Sequence, residues 1–496
     1  MIRRMATAHV TADPGAARTL GEAFRALDYS EGAISRLLGD EAYAGDPEDA
    51  PVAERRLPQT ELGTVIRAFF LQLPVSRRAA GAALGRRGLA ALEATGLAEI
   101  GAEVVPRVRI LPVGDLLVAS DDFPGEDDES RSDYVAAYTP TSRLLDSLTP
   151  RRRVGSALDV GTGSGVQALL AARHARRVVA TDVNERALLY AELNAALNGL
   201  ENIEFRRGSL FEPAGGEHFD LVTCNAPYVV SPENRWAYRD AGFRADEASE
   251  RVVQGAADHL ADGGFATLLV SWVAADEDEP DERPIAWTET LDCDSWILPI
   301  WGSDALGHAA TWNDHLMDDR ARFGAALDTW TDYLARLGVR WVSEGAVALH
   351  RRAGRRFSTR VDEVEEDELE EAGAQIERAF AARARLAELK RRADLLEATL
   401  SLAVPVRLEH ELEPRRGRIA VTGATLQIEE GTHTIVEGSP RALELVATLD
   451  GSARLGDVLQ MSAARLGLSE TETSQLRRDL LDLSHELLEL GALRFC

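Results

Sequence analysis

The chain has 496 residues, too long for one ordinary domain, and its length implies about two to four. Hydrophobic residues make up 45% and charged residues 28%, a globular balance, while a formal net charge of −27 disfavours a general grip on duplex nucleic acid. No apolar run suits a membrane helix, "MIRRMATAHVTADPG" lacks the apolar core of a secretory signal, and Cys224, Cys293 and Cys496 have no metal-type spacing, so the expected setting is cytoplasmic with no membrane, metal or disulfide.

Residues 1–120 read as helices followed by a short hairpin. "ELGTVIRAFFLQLPV" has apolar residues at helical spacing, and "SRRAAGAAL" and "GLAALEATGL" give two shorter helices. "AEIGAEVVPRVRILPVGDLLVAS" then alternates as a two- or three-stranded wing would, which predicts a winged-helix-like module. The acidic "DDFPGEDDESRSD" (121–133) reads as a linker. Residues 134–352 alternate strand and helix, the texture of a parallel sheet covered on both faces. Its strands are "GSALDVG", "RVVATDV", "IEFRRGSL", "FDLVTCN", "FATLLVSWV", "WILPIWG" and "VRWVSEGAVALHRR". Residues 353–403 are charged and read as a helical connector. Residues 404–496 read as a small α+β domain, with strands in "RIAVTGATLQIEEG" and "THTIVEG" before three helices. "TPRRRVG" (149–155) and "RRAGRR" (351–356) are small basic clusters of the kind that solvated surfaces carry.

"ALDVGTGSGVQALLAARHA" places Gly161, Gly163 and Gly165 where a buried strand gives way to a helix, and glycines there let backbone approach a ligand. The spacing is G-x-G-x-G rather than the dinucleotide G-x-G-x-x-G. The strand "RVVATD" ends in Asp182, where an acid can accept both ribose hydroxyls of a nucleoside or cap the helix that follows. The next strand ends in "RRGSLF". "FDLVTCN" ends at Asn225, followed at once by Ala226, Pro227 and Tyr228.

In that order, Asp159-Val160-Gly161-Thr162-Gly163-Ser164-Gly165, Asp182 and Asn225-Ala226-Pro227-Tyr228 resemble class I S-adenosylmethionine-dependent methyltransferases. More narrowly, they are similar to the branch with an N-P-P-Y motif after the fourth strand. That branch contains glutamine methyltransferases of release factors and methyltransferases of exocyclic amines in ribosomal RNA. The resemblance covers 135–275 closely and 276–352 loosely, and implies a Rossmann-like seven-stranded α/β sheet. It also implies S-adenosyl-L-methionine as cofactor. Asp159, Gly161, Thr162, Gly163 and Gly165 would receive its methionine part, and Asp182 with Val183 the ribose. Ser209 and Leu210 would flank adenine, with Thr141 and Asn225 as further contacts. Ser209 departs from the family pattern, in which an acid commonly accepts from the adenine amine.

The lone pair of an amide or aryl-amine nitrogen is delocalised, so two acceptors aimed at its hydrogens hold it in a reactive orientation and offset developing positive charge. In the related enzymes these are the asparagine side-chain oxygen and the next backbone carbonyl, here Asn225 and Ala226, and Tyr228 offers a stacking face. Ala226 replaces the family's first proline, which costs rigidity, while Pro227 still biases residue 226 toward an extended conformation. Trp236, Tyr238 and Arg239, in an aromatic and arginine-rich loop, are candidate substrate contacts or simply pack that loop. Cys224 reads as core, and neither His174 nor His308 has a partner visible in sequence.

The acceptor this favours is an amide or amine nitrogen of a protein or peptide, because the acidic charge disfavours RNA. The last domain also resembles small winged-helix domains that bind leader peptides, to which a peptide can add a strand. An exocyclic amine of ribosomal RNA is the alternative, supported by the winged-helix-like module and the arginine clusters. A third reading is a cofactor-binding regulator with a decayed site, against which Asn225 and Tyr228 argue.

Overall fold

The computed structural model describes residues 10–39, 50–121, 133–136, 138–233, 243–354, 357–366, 369, 371–415 and 418–496. Eight strands form its central sheet: β1 (Val154–Val160), β2 (Ala175–Asp182), β3 (Ile203–Arg207), β4 (Phe219–Asn225), β5 (Leu260–Ala274), β6 (Cys293–Asp304), β7 (Trp341–Arg351) and β8 (Thr359–Val361). Their order is β3-β2-β1-β4-β5-β7-β6-β8. Strands β1 to β5 run parallel, and β7 is antiparallel to both β5 and β6. Seven of these are the strands expected from sequence. The eighth, the three-residue β8, joins the free edge of β6 with no apolar run to announce it.

Helices α1 (Pro140–Leu148), α2 (Val166–Ala172), α3 (Glu185–Leu197), α4 (Glu247–Asp258), α5 (Glu282–Glu289), α6 (Ala305–Trp312) and α7 (Arg320–Leu337) accompany the sheet. Interior strands of a parallel sheet are covered on both faces, and Leu158, Val160, Val178, Val179, Leu221 and Val222 are accordingly buried. Successive strands step outward from β1 through β2 to β3, then the chain returns to lay β4 on the other side of β1. Such a reversal opens a crevice at the carboxyl ends of the strands, between β1 and β4. Asp159, Asp182 and Asn225 all lie at that edge.

Helix α3 is apolar on two sides because it is packed on two sides. Tyr190, Leu193 and Leu197 belong to the core of the N-terminal elements, whose helices span Pro14–Ala26, Glu31–Leu38, Ala50–Arg56, Glu61–Val65 with a π-turn to Phe70, and Arg77–Thr95. The last is broken at Gly85 (φ 66°), giving the two short helices expected. Strand Glu103–Pro106 pairs with both Val75–Ser76 and Ala98–Ile100, as a wing does. The expected third wing strand is instead part of a separate hairpin, Arg109–Val113 with Leu116–Ser120, docked on α3. Asn194, 0% exposed, receives Ala119 N–H at 2.8 Å and donates to Ala119 O at 2.9 Å and Ser164 O at 2.8 Å. Asn198 does the same to Leu117, accepting at 2.9 Å and donating at 2.7 Å. Two side-chain amides thus stand in for a neighbouring strand. Where the acidic linker begins, Asp121 is buried against Arg186 and accepts from Tyr190 Oη and Val135 N–H, both at 2.8 Å.

The stretch expected as a charged helical connector is different. One helix, Ala372–Glu388, buries Ile376, Ala379 and Phe380, and Arg383 donates to Ser295 O at 3.1 Å and Glu489 O at 3.2 Å. Alanines between the charges give this helix an apolar face that the overall charge conceals. Strand Thr399–Leu402 then forms the centre of a three-stranded sheet with Asp450–Arg454 and Leu493–Phe495. The remaining C-terminal elements are a sheet of Val406–Arg415, Arg418–Ile428 and Ile435–Gly438, followed by helices Pro440–Val446, Leu455–Leu466 and Glu470–Glu489. One apolar cluster runs from β1 and β4 to Leu487 and Leu493, so these elements share a core with the central sheet.

Replacing Asn194 with Ala strands two carbonyls and an N–H in that interface. The expected loss is roughly 3 kcal/mol of stability, read as a lower urea midpoint with an unchanged slope. An unchanged midpoint contradicts the docking role given to this residue.

Candidate functional site

The site is built at the ends of β1, β2 and β4. Asp159, penultimate in β1, is 2% exposed. Its Oδ2 accepts from Thr162 Oγ1 at 2.6 Å and Ala168 N–H at 3.1 Å, and its Oδ1 from Thr223 Oγ1 at 2.9 Å. Burial pushes its carboxyl up to about 6, against the opposing pull of those three donors. Asp159 therefore lies beneath the glycine turn and shapes it. Gly161, Gly163 and Gly165 have φ of 69°, 56° and 90°, which favours glycine at each. A Cβ on Gly163 would meet nothing within 4 Å, so that face of the turn is open. One on Gly165 would lie 2.9 Å from Ala191 Cβ, because the turn packs there on α3.

Asp182 closes the second side. Its Oδ2 accepts from Gly163 N–H at 2.9 Å and its Oδ1 from Asn184 N–H at 2.8 Å. Burial raises this carboxyl too, while the backbone donors of Asn184, Gly163 and Val183 lower it. A carboxylate oxygen has two lone-pair sites, so each retains capacity for a ligand hydroxyl. Val183 is exposed beside it. Gly208 N–H donates to Asp182 O at 3.0 Å, which brings Ser209 and Leu210 alongside, Leu210 at φ 46°. Helix N-capping belongs to Asn184, whose side chain accepts from Arg186 N–H.

Asn225 ends β4 across the crevice. Its backbone oxygen is 3.9 Å from the position a Cβ would take on Gly161. Its Nδ2 donates to Thr141 Oγ1, on α1, at 3.2 Å, and among the described residues its Oδ1 has no hydrogen-bond partner. Thr141 also meets the Tyr228 side chain, so one hydroxyl links both ends of the Asn-Ala-Pro-Tyr turn. Ala226 N–H donates to Leu269 O at 3.3 Å, and the Tyr228 carbonyl accepts from Ser271 Oγ. Tyr228 is 8% exposed, and burial raises its hydroxyl's pKa. It presents much less ring than a stacking platform would. Pro227 is half-buried between them.

The turn thus gathers Thr141, Asp159, Gly161, Thr162, Gly163, Gly165, Asp182, Val183, Ser209, Leu210 and Asn225 to Tyr228 at one sheet edge. Trp236, Tyr238 and Arg239 lie outside the described residues. Sequence reasoning missed Thr223, Ser271 and Glu344, and found no partner for His308. The first two are small hydroxyls in apolar strands, and their position two residues from Asn225 and opposite Glu344 is legible only once the register is known. Cys224 is buried as expected, with its thiol's pKa raised by that burial. Among the described residues no group of three or more His, Cys, Asp or Glu is placed to hold a metal, and no helix is long and apolar enough to cross a membrane.

Residues 139–273 match the family model of the methyltransferase small domain, and residues 26–109 match a domain of unknown function, DUF7059. A ribosomal protein uL3 glutamine methyltransferase of Bradyrhizobium diazoefficiens is 33% identical over 32% of this chain and 54% of its own. A release factor glutamine methyltransferase of Xylella fastidiosa is 34% identical over 26% of this chain and 50% of its own. The chain therefore spans about half the length of these relatives. A methyltransferase of Pyrococcus furiosus of known structure aligns at 19% identity and a TM-score of 0.28, over 43% of this chain and 83% of its own.

A raised carboxyl means the folded chain holds the Asp159 proton more tightly than the unfolded one. Its contribution to stability is fullest below an unfolded value of about 4 and is lost as pH rises to about 6. A carbon-detected titration of the ligand-free protein should place its midpoint near 6. Thr223→Val, which removes a lowering donor, should move it higher. A midpoint near that of a free aspartate contradicts the burial account.

Proposed function

We propose that the chain carrying this methyltransferase small domain transfers a methyl group from S-adenosyl-L-methionine to an amide or amine nitrogen of a protein or peptide. The observation that carries the reading is Asn225: a side-chain oxygen without a partner among the described residues, at the strand end facing an open glycine turn, in a side chain oriented by Thr141. The residues present suit the cofactor. Gly161 and Gly163 leave space for its methionine part, Asp182 retains acceptor capacity for two ribose hydroxyls, and Ser209 and Leu210, which follow Gly208 beside Asp182, would border the adenine. Bound there, S-adenosylmethionine supplies an electrophilic methyl group on a sulfonium.

The chain's own work is orientation. Asn225 Oδ1 and the Ala226 carbonyl accept the two hydrogens of an incoming NH₂, which aims the nitrogen and offsets the positive charge that grows on it. Asp159 acts through others, fixing the turn by way of Thr162 and Ala168 and the end of β4 by way of Thr223. The polypeptide acceptor draws support from the relatives, whose names specify glutamine methylation of ribosomal protein uL3 and of release factor. A chain of net charge −27 adds to it.

With labelled cofactor and a cell extract, the label should be released by protease and survive nuclease. Release by nuclease alone selects the RNA alternative. Asn225→Ala should lower turnover at least tenfold while cofactor affinity stays within threefold, since the lost acceptor acts mainly in the transition state. Equal turnover in variant and parent defeats the clamp.

A further inference from the structure

We infer that His308 and Glu344 are positioning residues that anchor the outgoing end of the Asn225–Tyr228 turn through the carbonyl of Val230. The inference rests on the reading of that turn as the acceptor clamp.

Strand register places the pair. Asn225 on β4 is level with Leu269 on β5, and two residues further along β5 Ser271 is level with Glu344 on β7. Residues two apart, and residues level on adjacent strands, share a face of a sheet. Asn225, Ser271 and Glu344 therefore lie on one face, at the carboxyl edge of β4 and β5. Ser271 Oγ holds the Tyr228 carbonyl, so the turn passes over Ser271 with Glu344 beside it. Two residues on, Val230 O accepts from His308 Nε2 at 3.0 Å.

A carbonyl can only accept, so His308 Nε2 carries a hydrogen and the tautomer is fixed. The other ring nitrogen, Nδ1, faces Glu344 Oε1 at 3.7 Å. That approach is longer than a hydrogen bond, and both groups are largely out of water, His308 at 3% and Glu344 at 16% exposed.

The surroundings hold the pair in place. Trp312 Nε1 donates to Glu344 Oε1 at 2.9 Å, from one turn beyond His308 on α6. The imidazole packs against Trp312 and against Trp330 of α7, with centroids 6.4 Å and 5.7 Å away. Val230 itself sits in an apolar cluster with Val273, Leu334, Val339 and Val342. The turn is thus held at its entry by Leu269 O, in its middle by Ser271 and at its exit by His308.

Backbone hydrogen exchange of the full-length protein tests this directly. His308→Ala should raise exchange at Tyr228, Val229 and Val230 at least tenfold. His308→Gln, whose amide can still donate to Val230 O, should stay within threefold of the parent. If His308→Ala does not fold, His308→Phe, which fills the space and cannot donate, carries the same expectation. Glu344→Leu, which removes the oxygen that both His308 Nδ1 and Trp312 Nε1 approach, should raise exchange as well. In labelled methyl transfer to the protein fraction of a cell extract, His308→Ala should lose at least tenfold with cofactor affinity within threefold, and His308→Gln should recover most of the loss. Unchanged exchange in a variant that cannot donate overturns the inference. Absence of methyl transfer by the parent overturns the proposed function instead, and the exchange comparison still decides the anchor.

Discussion

The candidate site depends on a carboxylate buried where a strand turns into a glycine-rich loop. Asp159 at the end of β1 is out of water, and a charge placed there without donors would be very costly. Its three donors come from three different pieces of chain: Thr162 inside the loop, Ala168 in the first turn of α2, and Thr223 on β4. Satisfying one side chain therefore sets the loop, the helix that follows it and the strand that ends in Asn225 relative to one another. A second carboxylate, Asp182, repeats the device from the neighbouring strand by receiving Gly163 N–H. The open face of the turn is bounded by groups whose positions are all fixed from below.

The flanking elements are tied to this arrangement. Helix α3 gives one face to the sheet and the other to the N-terminal core, and Asn194 reaches from the docked hairpin to the carbonyl of Ser164 inside the glycine turn. On the far side, helix Ala372–Glu388 inserts Phe380 beside Phe265 and His350, and Arg383 joins β6 to the C-terminal helix. Each flank is joined to the sheet by polar contacts in its core as well as by apolar area.

Much of this was legible in the sequence. Buried strands showed as short apolar runs, and G-x-G-x-G after β1, Asp182 after β2 and Asn-Ala-Pro-Tyr after β4 mark strand ends, so their convergence follows from parallel topology alone. Local patterns do not reveal which groups face inward. Asp159 reads as a ligand contact and is buried beneath the loop, and Tyr228 reads as a platform and is largely covered. His308 and Glu344 are 36 residues apart in different elements, and nothing local pairs them. The helix from Ala372 hides its apolar face among charges, while "VRLEHELEPR" hides an alternating strand in the same way.

The central claim is that the glycine turn and Asn225 face one another across a bound sulfonium. A crystal structure with S-adenosylhomocysteine and a glutamine-containing peptide tests it most directly. The account predicts ribose hydroxyls on Asp182, sulfur over Gly161 to Gly163, and Asn225 Oδ1 within about 3 Å of the peptide amide nitrogen. Density for the nucleoside elsewhere, or an amide nitrogen held away from Asn225, would contradict it.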